Sequence, residues 1–590
     1  MASVLDNVQI TLVTGIDDLM DMKRWLSERR ETPLAIDTES EGLNPWKHKL
    51  RLAQIGDMHR AFVIPWDDWK GSVKEVVREF EGEWICHNAT FEQRMFRVQG
   101  GFELPWDRLH DTLVQVKLRE PHLAAGLKEA SDRHIDRGAS RLQHALSTGM
   151  AQQGWNWATV PLDFGPYWAY GGTDPILTAH LHHKFHPEVS TACPDAYSLE
   201  MATLRITTNM MVSGMLSDVS YINESITKFR DFSEASRAWL KKTFGVTSPA
   251  STVQLKKVFS ELGCDPLSYT DKGAPQYNKE NLLFYQNNAS NPDARKLAEY
   301  VLAIRRAEKL TSTYLENFLD VRDDHDVIHT SINTMAARTG RMSSDSPSLL
   351  NLPKKDKVIR GSFIPRDGHK FITCDLAQIE ARLGAHFSED EGMIHSFNDA
   401  DATGGDFFCG LASRLYGEPV AREGDSRRDR VKGVVYGALY SAGLDTMAHT
   451  AGVPVEQMRP VKEGFEREFP GLKQLTERVT RDSMRHKPPH ITSPLGRMLV
   501  ADYGSEYTQM LNALIQGHAA EYFKQRLVII DSSGLGEYMR LPIHDECLLE
   551  VPEDMAEEAL KTVADCMSDE SAYRVAIHAD GKVMDYRWQK

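Results

Sequence analysis

Along the first 190 residues short apolar runs alternate with helical stretches, the pattern of an α/β unit in which helices cover a sheet. Pro33-Leu34-Ala35-Ile36-Asp37, Ala61-Phe62-Val63-Ile64-Pro65 and Glu83-Trp84-Ile85-Cys86-His87 read as strands. From about 190 to 330 the apolar spacing becomes helical and closes on the amphipathic stretch Lys309–Phe318, with turn-rich breaks at Ser248–Ser251 and Asp271–Pro275. After 331 strands and helices mix again. Phe371–Asp375 predicts an apolar strand ending in an acid, with a helix beginning at Glu380, and Leu541–Val551 predicts an apolar hairpin holding Asp545 and Glu546. Between them Arg428, Lys432, Tyr436 and Tyr440 recur every fourth residue and so trace one helical face. No fixed-period repeat and no long low-complexity segment interrupts the chain.

A length of 590 residues implies several hydrophobic cores, and 41% apolar with 26% charged residues is ordinary globular composition. No run approaches the roughly 18 apolar residues of a membrane helix. Met1-Ala2-Ser3-Val4-Leu5-Asp6 lacks the basic flank and apolar run of a secretion signal. Seven scattered cysteines give neither a disulfide framework nor a CxxC zinc spacing, so a reducing, cytoplasmic setting is expected. Lys plus Arg is 69 against 84 Asp plus Glu, a net charge of −15, which argues against a globally basic nucleic-acid binder. It leaves room for a local basic groove and supplies the carboxylates that divalent cations need.

Asp37 and Glu39 stand two apart on a strand and therefore share a face. Such a pair is costly unless something positive lies between the two acids. Read alone, Asp-Thr-Glu also fits a strand running into a solvated acidic turn. His87-Asn88-Ala89-Thr90-Phe91-Glu92 follows a strand, and Tyr170-Gly171-Gly172-Thr173-Asp174 lies in a predicted helix that puts Tyr170 and Asp174 on one face. Together these segments resemble, in order, the three motifs of the DnaQ-like 3′→5′ exonucleases. The resemblance implies a ribonuclease-H-like fold in which Asp37, Glu39, Glu92 and Asp174 hold two metal ions about 4 Å apart. It further implies that Tyr170 orients the attacking water and that His87, Asn88 and Phe91 support a frayed DNA end. Glu92 departs from the family's usual Asp, which leaves a weakened or silent exonuclease as the alternative.

In the second half, Asp375-Leu376-Ala377-Gln378-Ile379-Glu380, the Arg428/Lys432/Tyr436/Tyr440 stripe and His544-Asp545-Glu546 resemble the ordered motifs of the family A DNA polymerases, the group typified by bacterial DNA polymerase I. Thr339-Gly340-Arg341, Asn351-Leu352-Pro353, Asn512 and Gln516-Gly517 match its template-primer segments. The implied architecture combines α/β and α+β parts: an exonuclease domain over 1–190 and a right-hand polymerase domain over 191–590. Its thumb is placed at about 200–330, its palm at about 331–390 and 525–590, and its fingers at about 391–524. The resemblance implies magnesium, with manganese as a substitute, on Asp375, Asp545 and Glu546. Arg428 and Lys432 are expected to grip phosphates, with Lys432 also the acid for pyrophosphate. Tyr436, Tyr440, Gln378, His544 and Glu380 are expected around the incoming nucleotide, Glu380 where a ribose 2′-hydroxyl would sit. Arg341, Asn351, Asn512, Gln516 and His544 are expected on the primer-template, with Asn88 and Phe91 on DNA at the exonuclease. The partners implied are primer-template DNA and deoxynucleoside triphosphates, the chain is expected to act as a monomer, and the residues name no helicase or single-strand-binding protein. The exonuclease unit starting near residue 1 and the short thumb resemble bacteriophage replicative enzymes. The alternative task is repair or gap filling with a weakened exonuclease.

Overall fold

The computed structural model describes residues 4–353 and 356–589; Met1–Ser3 of the stretch read for a signal lie outside them. Two compact units emerge. The first comprises the chain up to Ser213 with Ile332–Ser344 and Ile372–Val583; the second comprises Gly214–Ser331, Asp345–Phe371 and the residues after Val583.

The first unit opens with a six-stranded sheet of order β1-β4-β3-β2-β5-β6. Its strands are β1 (Gln9–Leu12), β2 (Leu34–Ser40), β3 (Leu50–Gly56), β4 (Arg60–Pro65), β5 (Trp84–Cys86) and β6 (Leu109–Asp111). β2, β3 and β4 form an antiparallel meander, while β1 on one side and β5 and β6 on the other are added in parallel. Parallel additions need crossovers, and helices α1 (Ile16–Ser27), α2 (Trp66–Glu79) and α3 (Ala89–Met95) supply them. β3 and β4 are buried along almost their whole length, as strands covered on both faces must be. Helices α4 (Thr112–Arg119), α5 (Leu127–His134), α6 (Arg141–Gln153) and α7 (Gly165–Ala192) complete this part, and α8 (Pro194–Ser213) leads out of it.

α7 lies unusually close to the sheet because Gly171 and Gly172 carry no side chain. A Cβ on Gly172 would stand 2.3 Å from Ile10 Cγ2, and one on Gly171 would stand 2.8 Å from Gln54 Nε2. The approach brings Tyr170 and Asp174 over β2.

Later in the same unit a four-stranded sheet has the order Met539–Ile543, Glu546–Pro552, His369–Leu376, Ala579–Met584. The helix Ile379–Ser388 leaves the end of strand His369–Leu376, and the 25-residue helix Glu506–Ile530 is buried on most of its surface. The helix Ser426–Leu439 buries Val431, Val434, Val435 and Leu439, while Arg428 and Tyr436 are half-buried along its flank and Lys432 is exposed. Asp425 caps it by accepting from the Arg427 amide at 3.0 Å.

The second unit is mainly helical. Helices Val219–Phe244, Thr252–Glu261, Lys279–Asn288 and Pro292–Lys309 enclose a core that includes Leu240, Phe259, Leu282, Leu297 and Val301. The helical reading of 190–330 therefore holds, and its predicted breaks fall where the chain turns. Among the described residues no helix is long and apolar enough to cross a membrane.

Candidate active sites

Two groups of acids form, each built around a strand. In the first, the alternation of β2 exposes Asp37 and Glu39 on one face while Ile36, Thr38 and Ser40 turn inward. Carboxylate oxygens of Asp37, Glu39 and Asp174 all lie within 4.8 Å of one another. Glu92, on α3, is buried behind them, and its Oε2 has no hydrogen-bond partner among the described residues. The structure thus gathers three of the four predicted acids into one trio and sets Glu92 deeper.

Asp111 fixes α3. Its buried carboxylate accepts from the amides of Asn88 (3.2 Å), Ala89 (2.7 Å), Leu113 (2.8 Å) and Val114 (3.3 Å), so one side chain caps both α3 and α4. Asn88 adopts the left-handed conformation (φ 78°) to enter α3. His87 sits behind it, with Nδ1 2.9 Å from the Thr112 hydroxyl, and burial pushes its pKa down to about 3.

Burial pushes all four carboxyls above their ordinary range. Their mutual repulsion adds to this at Asp37, Glu39 and Glu92. The opposing charge is Lys128 of α5: its ammonium donates to Asp174 Oδ1 and lies 4.4 Å from the Tyr170 ring centre. Burial, with the acids nearby, also drives the Tyr170 phenol upward. Neither Lys128 nor Asp111 is legible as part of the site in the sequence. Each becomes visible only once α5 and β6 are packed against the sheet.

The second group lies on the four-stranded sheet. Asp375 is the last residue but one of its strand, Asp545 occupies the turn of the hairpin, and the Leu376 amide donates to the Asp545 carbonyl at 3.0 Å. The two acids, 170 positions apart, are therefore neighbours in the ladder. Glu546 is fully buried beneath them and accepts from the Thr373 hydroxyl. His544 (φ 60°), Gln378 (φ 56°) and Ser441 (φ 50°) all hold left-handed backbone around this point. Such conformations cost about 1–3 kcal/mol each in non-glycine residues and cluster where geometry is over-determined. The Gln378 Oε1 and Asn512 Oδ1 atoms are buried without a hydrogen-bond partner among the described residues.

Around the acids a cleft is lined by Gly340, Arg341, Glu380, Phe523, His544 and Asp545, among others. Glu380 is buried, and its carboxylate accepts from both Arg341 and the Tyr440 hydroxyl. Burial and the bond to Glu380 push the Tyr440 phenol to about 12. Tyr436 lies 6.3 Å from Tyr440, and burial beside Glu380, Asp545 and Asp375 raises its phenol. Asn512 and Gln516 are partly open positions one turn apart on helix Glu506–Ile530.

Arg428 is held by a residue that the sequence did not single out. Its guanidinium donates twice to Asp406, at 2.7 and 3.1 Å, and Asp406 also caps the helix Phe407–Tyr416. Burial would raise the Asp406 carboxyl, but the Arg428 fork and the Cys409 amide hold it below its ordinary range. Lys432 is exposed, with Nζ 5.8 Å from the Tyr436 ring centre. Asn351 belongs to the second unit, where its amide donates to the Ser348 hydroxyl at 3.0 Å. Phe91 is half-buried at the start of α3.

The model of DNA polymerase family A matches residues 220–590, more than half of the chain. The chain belongs to DNA polymerase family A. A separate 3′-5′ exonuclease model matches residues 13–190. The DNA polymerase of Mycobacterium phage D29 is 27% identical over 99% of this chain and 97% of its own length, and that of Mycobacterium phage L5 is 26% identical over the same shares. DNA polymerase I of Chloroflexus aurantiacus is 29% identical over 83% of this chain and 52% of its own length. The POL domain of Pol1 from M. smegmatis, solved in complex with DNA primer-template and dNTP, superposes with a TM-score of 0.80 at 21% identity, covering 98% of this chain and 99% of that one. The chain is thus a family A DNA polymerase with an amino-terminal 3′-5′ exonuclease domain, and both parts belong to metal-dependent families.

Proposed function

We propose that this polymerase extends a primer on a DNA template at Asp375 and Asp545 and trims the primer end at Asp37, Glu39 and Asp174. The observation that supports the reading is the Leu376–Asp545 backbone bond, which ties the strand of Asp375 to the hairpin turn of Asp545 beside the cleft. Both donor sets consist of carboxylate oxygens, which suit a hard cation such as magnesium, with manganese as a substitute. When bound, magnesium supplies charge that lowers the pKa of a hydroxyl or water and neutralises developing phosphate charge. Glu546 lies one step inward, where it supports that pair through Thr373.

In this reading Arg428 and Lys432 bind the triphosphate, Arg428 held ready by Asp406 and Lys432 free to give a proton to the leaving pyrophosphate. Tyr436 packs on the sugar, beside Gln378 and His544. Glu380, fixed between Arg341 and Tyr440, fills the space of a ribose 2′-hydroxyl and so selects deoxynucleotides by exclusion. Arg341, Asn351, Asn512 and Gln516 meet the primer-template, where minor-groove acceptors common to all correct pairs report geometry rather than sequence. At the exonuclease, Tyr170 orients water, and Asn88 and Phe91 steady the strand end. We assign the thumb, palm and fingers to the ranges given above, a monomeric state, replication as the task, and the host cytoplasm as the setting. Lys128 on Asp174, together with the set-back Glu92, favours a slow exonuclease as the second reading.

Primer extension and degradation of a mismatched primer separate these assignments. Asp545→Ala abolishes extension and keeps degradation, while Asp37→Ala does the reverse; chelation abolishes both until magnesium returns. Extension surviving in Asp545→Ala overturns the polymerase site, and a wild type that leaves the mismatch intact supports the second reading.

A further inference from the structure

Away from both groups of acids, three imidazoles meet at the edge of the six-stranded sheet. His110 stands on the edge strand β6, and His182 and His186 stand one turn apart on α7. The ring centres are 4.6 to 4.8 Å apart, and one nitrogen from each ring lies within 4.8 Å of one from each of the others. Glu83, half-exposed, places Oε2 3.5 Å from His110 Nε2. His182 follows Asp174 by eight residues on α7, roughly 12 Å along the helix axis, so this group is separate from the exonuclease acids.

The groups behind the rings are arranged as supports. His110 Nδ1 is 3.0 Å from the Tyr197 hydroxyl, and His182 Nδ1 is 3.1 Å from Gln115 Nε2, which also donates to Tyr197 at 3.0 Å. Gln115 Oε1 is buried without a hydrogen-bond partner among the described residues. Amide oxygen and nitrogen exchange places by a half-turn of the side chain. After that half-turn Oε1 accepts from His182 Nδ1–H and from the Tyr197 hydroxyl, while Tyr197 accepts from His110 Nδ1–H. Both rings are then fixed as tautomers whose Nε2 lone pairs are free, the outer-sphere pattern of ligating histidines. His186 Nδ1 is likewise buried with no hydrogen-bond partner among the described residues. Burial pulls all three imidazoles below their ordinary pKa.

We propose that His110, His182 and His186 form a site for a divalent transition metal of the zinc class, with Glu83 or water as fourth ligand. Imidazole nitrogens exclude magnesium as the natural occupant and suit zinc. A tetrahedral ion with bonds of about 2.1 Å needs nitrogens roughly 3.4 Å apart, a closure that ring rotations supply. The ion would pin the end of α7 to β6 and, through Tyr197, to α8.

The full-length chain, stripped of metal and returned to excess magnesium, is titrated with Co2+ as a visible probe and then with Zn2+. The expected result is one equivalent giving the absorption of tetrahedral cobalt, displaced by Zn2+, together with a Zn2+-dependent rise in Tm. His186→Ala, at a half-exposed position, removes both signals but leaves magnesium-dependent primer extension intact; His110→Gln does the same and guards against one misfolded variant. Tyr197→Phe weakens Zn2+ binding about tenfold. Asp174→Ala and Asp375→Asn, which remove the proposed catalytic acids, keep the cobalt signal. No tetrahedral signal in the wild type, a signal unchanged in His186→Ala, or one lost in Asp174→Ala instead overturns the site.

Discussion

Lys128 is the residue whose placement says most about the exonuclease acids. A buried ammonium on Asp174, over the ring of Tyr170, supplies the positive charge that the packed carboxylates require. Removing one partner of a buried ion group typically costs about 3–5 kcal/mol, because the other charge is left unpaired. Lys128→Met is therefore expected to lower Tm in chelator, and millimolar magnesium is expected to restore more of it than in the wild type; equal magnesium shifts in the two proteins would refute the assignment. His518 makes a second test at this scale. Burial, with His386 nearby, holds its pKa down to about 4, while its Nε2 lies 2.9 Å from the Tyr573 hydroxyl. The folded pKa is below the unfolded value, so the neutral ring's contribution is complete above about pH 6.5. It is lost as pH falls from there toward 4, because only the unfolded chain gains the proton; the loss is about 3 kcal/mol at most. His518→Gln should flatten that part of the Tm profile between pH 6.5 and 4. Asp37, Glu39, Asp375 and Asp545 are legible as residues because each interrupts or borders an apolar strand, where a carboxylate needs a reason, whereas Glu92 and Asp174 stand on helices and are legible only through the motifs they belong to. Lys128 and His518 are not legible, since a lysine in an amphipathic helix and a histidine in an apolar one look ordinary until the neighbouring elements are in place.

At the scale of elements, period alone carried most of the reading. Alternation along β2 puts Asp37 and Glu39 on one face, and the four-residue spacing of Arg428, Lys432 and Tyr436 holds as a stripe of Ser426–Leu439 running beside its buried Val431 and Val435. Tyr440 falls just past the end of that helix, where the backbone turns into the left-handed Ser441. Period could not reveal the caps: Asp111 and Asp406 each serve a helix start and a functional neighbour together, and an Asp before a helix announces only the first role. Nor does period give the distance between helix and sheet, which Gly171 and Gly172 set for α7. Because a Cβ at 172 would meet Ile10 at 2.3 Å, Gly172→Ala forces α7 away from β1. Overpacking of this kind costs about 1–3 kcal/mol. A shift of about 1 Å at a catalytic group is worth up to about 100-fold in rate. The variant should therefore lose mismatched-primer degradation by at least tenfold while primer extension holds; equal loss of both activities would mean that the effect is global rather than carried by α7.

At the scale of the molecule, the exonuclease sheet and the polymerase helix Glu506–Ile530 share one compact unit, and buried ion pairs join that helix to α8, which leaves the exonuclease fold. Glu200 of α8 accepts from Lys524 Nζ at 2.5 Å and from Arg497; Arg497 Nε reaches Glu521 at 2.9 Å, and Ser493 donates to the same carboxylate. All four charged side chains are at most 2% exposed. Burial pulls Lys524 down to about 8 even with Glu200 beside it. The partners lie up to 324 positions apart, so no local pattern could have joined them. Charges so deep give little net stability as a set, but losing one of them is severe. Glu200→Ala leaves Lys524 without its carboxylate and is expected to cost about 3–5 kcal/mol. Since α8 carries the chain out of the exonuclease fold while Glu506–Ile530 carries Asn512 and Gln516, both activities should fail together at a lowered inactivation temperature. Glu200→Met combined with Lys524→Met, which replaces the pair by apolar groups of similar reach, should recover most of that loss. If the double variant is no more stable than Glu200→Ala, packing of α8 rather than charge pairing holds the junction.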